Sequence, residues 1–163
     1  RQMCIRDREY KGSFKDGKPH GKGIVTSPDG VICYDGEFID GSEHGQGKRL
    51  LSDGRTYEGQ YKNGKPEGEG VLYTKSGLIE YNGGFKEGKY EGQGVLTNPD
   101  GSIYIGKFVA GKYQGEGELI CPDGTRYKGE FRAGKYDGGG ELLFPDGTRY
   151  VGGFADGQYN GLG

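Results

Sequence analysis

The sequence predicts an all-β fold, an elongated repeat array of antiparallel β-hairpins forming one twisted sheet, and three observations carry that expectation. Tyrosine recurs as Tyr10, Tyr34, Tyr57, Tyr81, Tyr104, Tyr127 and Tyr150, at spacings of 23 or 24 residues. Two residues after each stands a glycine, namely Gly12, Gly36, Gly59, Gly83, Gly106, Gly129 and Gly152, and two further on an aromatic, namely Phe14, Phe38, Tyr61, Phe85, Phe108, Phe131 and Phe154. Glycine then recurs seven, eleven and thirteen residues after each tyrosine, and a D-G or S-G pair closes the first six copies, so 34 of the 37 glycines are in phase. Only Gly84, Gly139 and Gly153 are not, and a flexible linker has no reason to hold such phase.

Each element of the repeat has a physical reason. Y-x-G-x-F alternates with a period of two, which puts Tyr, Gly and the second aromatic on one face of a strand. The second arm, as in Gly115-Glu116-Gly117-Glu118-Leu119, alternates likewise with charge on the other face. Between the arms lies a first turn, expected over Ala133-Gly134-Lys135-Tyr136-Asp137 in the sixth copy, and P-D-G, as in Pro145-Asp146-Gly147, leads into the next hairpin. Copies 1 and 3 are one residue longer after the closing turn, Val31-Ile32-Cys33 and Leu78-Ile79-Glu80, which predicts a bulge or wider loop there. Glycine inside strands costs about 0.5–1 kcal/mol each relative to Ala. The expected compensation is that Tyr and Phe rings lie across glycines of neighbouring strands, where the lack of a Cβ lets a ring settle on the backbone.

Composition narrows the rest. Gly and Pro make up about a quarter of the chain, which borders on the disordered class, but 13 Tyr, 7 Phe and a net charge of −2 argue against disorder. Three Cys, at 4, 33 and 121, show neither C-x-x-C nor Cys/His ligand spacing, so a reducing, cytoplasmic compartment is expected and no zinc site. No apolar run reaches the ~18 residues of a membrane-spanning helix. Residues 1–9, RQMCIRDRE, share no pattern with the rest of the chain and resemble sequencing-adapter read-through. They are expected to be an unstructured, non-native leader before an array at 10–163, with copies starting at 10, 34, 57, 81, 104, 127 and 150.

The pattern Y-x-G-x-F-x-x-G-x-x-x-G-x-G, here YKGEFRAGKYDGGG from Tyr127 to Gly140, resembles the MORN repeat, and the resemblance covers residues 10 to 163. Arg49, where other second arms carry Leu or Val, and Ser76, in place of Asp, depart from the pattern, and looser packing is expected in copy 2. The resemblance implies a MORN-type solenoid and a non-catalytic scaffold or targeting module at membrane or cytoskeletal structures. MORN arrays occur as stand-alone organisers, in radial-spoke and junctional membrane proteins, and as extensions of enzymes such as plant phosphatidylinositol phosphate kinases. The chain stops midway through a copy, which leaves open the alternative of a regulatory extension whose catalytic domain lies outside this fragment.

No catalytic set is apparent. Gly59-QYKN-Gly64-Lys65 matches G-x-x-x-x-G-K but lacks the following Ser or Thr and sits in a hairpin, so it is a by-product of the repeat. His20 and His44 have no third ligand near them, and neither cofactor nor nucleic acid is expected. The informative columns fall near the hairpin tips, where Lys65, Lys89, Lys112 and Lys135 share one position and Tyr90, Tyr113 and Tyr136 the next. Stacked ~10 Å apart, they would form a rim of alternating Lys and Tyr for a protein partner or an anionic phospholipid. The bland alternative is a solvated tip whose charge Glu67, Glu91 and Asp137 balance locally. Unpaired strand edges at the array ends also predict self-association.

Overall fold

The computed structural model describes residues 2–5 and 7–160, with side chains from residue 7 onward. The fold is all-β: fifteen strands lie in one open antiparallel sheet whose spatial order is the sequence order. They are β1 (Gln2–Ile5), β2 (Arg8–Lys15), β3 (Lys18–Thr26), β4 (Ile32–Ile39), β5 (Ser42–Leu50), β6 (Thr56–Lys62), β7 (Lys65–Tyr73), β8 (Ile79–Lys86), β9 (Lys89–Thr97), β10 (Ile103–Val109), β11 (Lys112–Ile120), β12 (Arg126–Arg132), β13 (Lys135–Leu143), β14 (Arg149–Ala155) and β15 (Gln158–Asn160). Two compact units divide them, Arg1–Ile79 with Phe85–Gly88 and Glu80–Gly84 with Lys89–Gly163.

Each copy from the first to the sixth is a hairpin, and its first turn is tighter than the five-residue stretch expected. Asp16, Asp40, Asn63, Glu87, Ala110 and Ala133 all have φ near +50°, and the glycine after each is also at positive φ. Two successive left-handed residues make a two-residue type I′ turn, whose twist matches that of the flanking strands. Lys135 and Tyr136 therefore belong to β13 rather than to a loop. The inter-copy turn is a second type: the amide of Gly147 donates to the carbonyl of Phe144 at 3.0 Å, and the Thr148 amide donates to Asp146 at 2.8 Å. Hydroxyl bonds from Ser27, Ser102 and Thr148, followed by a backbone bond, hold Asp29, Asp100 and Asp146 below the usual carboxylate range, and the backbone bonds of Arg55 and Thr125 do so foremost for Asp53 and Asp123.

Between the arms the ladder slips. In the first hairpin Gly12 faces Gly23 but Phe14 faces Pro19, so β3 spends two more residues than β2 over that interval. Gly21, the glycine eleven residues after Tyr10, takes φ +82° inside this bulge. The slip recurs between Gly36 and Phe38, between Gly59 and Tyr61, between Gly106 and Phe108, and between Gly129 and Phe131. The extra residue of copy 1 is absorbed as expected: Val25 faces Tyr34 while Thr26 faces Ile32, which leaves Cys33 as the bulged residue.

In each unit the core is a ladder of rings on one face. In the unit of residues 1–79, Tyr10, Tyr34 and Tyr57 are buried, and in the other unit Tyr81, Tyr104 and Tyr127 are fully so. Every one lies over the cross-strand glycine pair of its own hairpin. A Cβ built on Gly117 would fall 2.5–2.8 Å from the Oη, Cε2 and Cζ atoms of Tyr104, closer than real Cβ atoms come. The second aromatic behaves differently from the expectation that it too covers glycine. It stands edge-on between successive tyrosines, as Phe131 does at 5.0 Å from Tyr127 and 5.1 Å from Tyr104. Edge-to-face rings of this kind add ~0.5–1.5 kcal/mol each beyond their buried area.

Residues 2–5 and 8–9, expected to lie outside the fold, are drawn into the sheet. Gln2 faces Lys11 and Ile5 faces Arg8 across β1 and β2. Strand pairing uses backbone groups that every residue type carries, so a segment without the repeat letters still covers an open edge. The in-phase glycines 161 and 163 lie outside the described residues, as do residues 1 and 6 of the leader.

The ring contact separates two kinds of glycine. Gly117→Ala is expected to destabilise by about 2–3 kcal/mol, because the new Cβ displaces Tyr104. Gly139→Ala, where a Cβ meets nothing within 4 Å, is expected to be neutral or to stabilise by up to about 1 kcal/mol. Urea unfolding of the two variants checks this, and equal losses would contradict it.

Candidate functional site

The Lys and Tyr columns do not form one rim, because successive strand residues point to opposite faces. In β13 Tyr136 faces Phe131 on the ring side, while Lys135 faces Arg132 on the other. In β11 Tyr113 faces Phe108 and Lys112 faces Val109. In β7 Lys65 faces Lys62, beside the type I′ turn.

The tyrosines of this column are part of the core. Tyr90 stacks on Tyr81 at 3.9 Å between centroids, Tyr113 on Tyr104 at 3.8 Å, and Tyr136 on Tyr127 at 3.9 Å, all within 13° of parallel. Each covers the fully buried Tyr of its own copy, as Pro19 and Pro66 stand at the same position beside the equally buried Tyr10 and Tyr57. Burial raises the Tyr136 hydroxyl pKa above its ordinary value. Tyr113 is further held by the side-chain amide of Asn98, which donates to its hydroxyl at 2.9 Å.

The lysines remain free of such commitments. Lys65, Lys89, Lys112 and Lys135 are exposed, and among the described residues no ion pair holds any of them. Two of the acids expected to balance them, Glu67 and Glu91, are bonded to backbone amides. Glu67 Oε2 accepts from the Glu87 amide and Glu91 Oε2 from the Ala110 amide, both at 2.8 Å, while Gln114 does the same for Ala133 at 3.0 Å. These side chains tie the second arm of one copy to the tight turn of the next. The same junction is bonded through the backbone, as where the Gly134 amide donates to the Tyr113 carbonyl at 3.0 Å.

His20 has a related place: its Nδ1 accepts from the Asp40 amide at 3.4 Å. Among the described residues no group of three His, Cys, Asp or Glu side chains converges as a metal site.

The repeated hydrogen bond of the tyrosine column completes the geometry. The hydroxyls of Tyr10, Tyr34, Tyr57, Tyr81, Tyr104, Tyr127 and Tyr150 each donate to the backbone carbonyl three residues on, at 2.7–3.0 Å. In copies 1, 2, 3, 5 and 6 that carbonyl belongs to the residue in the gap where the ladder slips. A unit with this Tyr, this glycine pair and this bulge every 23 or 24 residues is what a family model can recognise. The MORN repeat model matches residues 10–32, 34–54, 57–79, 81–103, 104–126, 127–149 and 150–163. The chain belongs to the MORN-repeat family. A search of curated proteins found no match to this chain. The MORN repeats account for the strands from β2 onward, and no catalytic domain is seen among the described residues.

Copy 2 of this MORN array differs from its neighbours in a way the sequence only half disclosed. Arg49 faces Tyr34 across the hairpin and forms an ion pair with Glu43, its guanidinium 5.8 Å from the ring centres of both Tyr34 and Tyr61. Looser packing of copy 2, expected from Arg49, is offset by a charged pair and two cation–π contacts. The matching signal was Glu43, which stands where other copies carry Pro or Tyr.

Tyr61 also departs, standing where the other six copies carry Phe, and its buried hydroxyl has no hydrogen-bond partner among the described residues. Two neighbouring hydroxyls therefore differ in their effect. Tyr57→Phe removes the 2.8 Å bond to the Gln60 carbonyl and is expected to cost about 1–2 kcal/mol. Tyr61→Phe removes an unsatisfied group and is expected to be neutral or stabilising. Denaturant midpoints decide it, and the reverse order would contradict the assigned roles.

Proposed function

We propose that this MORN array is a non-catalytic protein-interaction module that docks an acidic partner along the lysine row of Lys89, Lys112 and Lys135. The observation that carries the reading is that Lys89, Lys112 and Lys135 are exposed and, among the described residues, held in no ion pair, with Glu91 turned to the Ala110 amide and the neutral Gln114 two residues after Lys112. Equivalent positions two strands apart repeat at ~10 Å, a spacing suited to an extended acidic segment. Arg132, which faces Lys135, adds a fourth cation on the same side of the sheet.

An overall charge of −2 favours a protein surface of limited size over a broad anionic membrane, which draws on a net excess of base. The expected setting is a scaffold or targeting role in the cytoplasm. The rings of Tyr90, Tyr113 and Tyr136 act in this reading as supports for the strand that carries each lysine.

Poly-glutamate supplies an acidic polypeptide probe. The full chain is expected to retain it at low salt, with affinity falling steeply as salt rises, and the triple variant Lys89→Glu, Lys112→Glu, Lys135→Glu is expected to lose at least tenfold. Undiminished retention by the triple variant would overturn the reading. Stronger binding to phosphatidylserine vesicles than to poly-glutamate would replace the protein partner with a lipid one.

A further inference from the structure

Copy 5 departs from the largely polar character of the face opposite the rings. In β10 the residues that alternate with Tyr104, Gly106 and Phe108 are Ile103, Ile105, Lys107 and Val109, whereas the same four positions of β12 carry Arg126, Lys128, Glu130 and Arg132. The neighbouring strands extend the departure. Ile105 faces Val95 of β9, and Ile103 faces Ile120 of β11. Val95, Ile105 and Val109 are 41%, 43% and 41% exposed, so aliphatic side chains stand together in water. All of these residues belong to the unit of Glu80–Gly84 and Lys89–Gly163.

We propose that the acidic partner of the lysine row also carries an amphipathic helix, whose aliphatic stripe docks on this patch. The partner's charge rests on the lysine-row reading, because the patch runs into that row. Val109 faces Lys112 beside the tight turn, and Lys107 lies between Ile105 and Val109 on the same side of β10. Lys107 and Lys112 are exposed, and among the described residues no ion pair holds either. From Ile103 to Val109 the strand runs about 20 Å, the length of a helix of about 13 residues. Charge also selects the side. Glu116 and Glu130 face each other across β11 and β12, and they would repel an acidic helix laid there. The helix therefore lies over β9 and β10, with its carboxylates at Lys107 and Lys112 and its aliphatic stripe on Val95, Ile105 and Val109.

Strand propensity gives no other reason for the patch. β-Branched residues suit any strand, yet copy 6 carries charge at all four of these positions. An antiparallel sheet leaves a face to water when that face is polar. A row of aliphatic side chains on such a face matches instead the stripe by which a helix covers a sheet.

The test uses the full chain and two helical peptides of about 14 residues, one of Glu with Leu at every third or fourth position, the other with each Leu replaced by Ala. Their charges are equal, so only the stripe differs. Calorimetric titration is expected to give the Leu peptide at least about tenfold tighter binding than the Ala peptide. The variant Val95→Thr, Ile105→Thr, Val109→Thr keeps β-branched residues at exposed positions and so keeps the fold. It is expected to bring the Leu peptide down to the level of the Ala peptide and to leave poly-glutamate retention unchanged. Equal binding of the two peptides, or a Leu-peptide affinity that the Thr variant leaves intact, would overturn the docking surface. Failure of the lysine row shows separately, as poly-glutamate retention that survives the triple lysine variant. That result would overturn the acidic half of the assignment, while the Leu and Ala comparison still decides the stripe. A dimer of the chain that the Thr variant dissolves would overturn the helix as occupant, and so would patch-dependent capture by phosphatidylcholine vesicles without Leu-peptide binding.

Discussion

The rest of the structure depends on a tyrosine lying flat on a pair of glycines. The ring of Tyr104 fills the space above Gly106 and Gly117, where a Cβ on either would fall less than 3 Å from Tyr104 Oη. Its hydroxyl then reaches the Lys107 carbonyl at 2.8 Å, in the gap where the ladder between β10 and β11 slips. The phenol thereby gives that carbonyl a hydrogen-bond partner while the ring stays on the apolar face. Glycine, bulge and tyrosine are therefore one device, and removing any of them leaves the other two without a reason. The second aromatic then locks one copy to the next, edge-on between two tyrosines.

That device sets which residues are available for binding. Strand alternation sends the rings to one face and the lysines beside the tight turns to the other. The stacked tyrosines, Tyr90, Tyr113 and Tyr136, are used to seal the ring beneath them. Glu67, Glu91 and Gln114 are used to hold the next copy's turn. The lysines have no such duty.

Much of this was legible in the letters. A 23- or 24-residue period in Tyr and Gly fixed hairpin, strand and family, because each letter answers a steric need at one backbone position. The tip was misjudged because the first turn takes two residues rather than five, a difference set by two successive positive φ values at positions such as Ala133-Gly134. Moving Lys135 and Tyr136 from a loop into a strand sends them to opposite faces. The role of Glu67 and Glu91 was hidden because their partners are backbone amides 19 or 20 residues away. Residues 2–5 and 8–9 misled for the opposite reason, since edge pairing needs no side-chain pattern. Arg49 was visible as a departure, but its partnership with Glu43 appears only when the two strands are placed side by side.

The most direct measure of the tyrosine's role is its ionisation. Burial raises the hydroxyls of Tyr34, Tyr104 and Tyr127 to about 12 from 10.0, and raises Tyr57 and Tyr61 as well. The folded chain keeps protons that the unfolded chain releases near pH 10, so this contribution to stability is fully present below pH 10 and is lost as pH rises through about 12. Phenolate absorbance and circular dichroism followed together from pH 9 to 13 decide the matter. The buried tyrosines are expected to ionise above pH 10 in one step that coincides with loss of the β signal. Ionisation of all thirteen tyrosines near pH 10 with the β signal intact would contradict a fold built on rings laid over glycine.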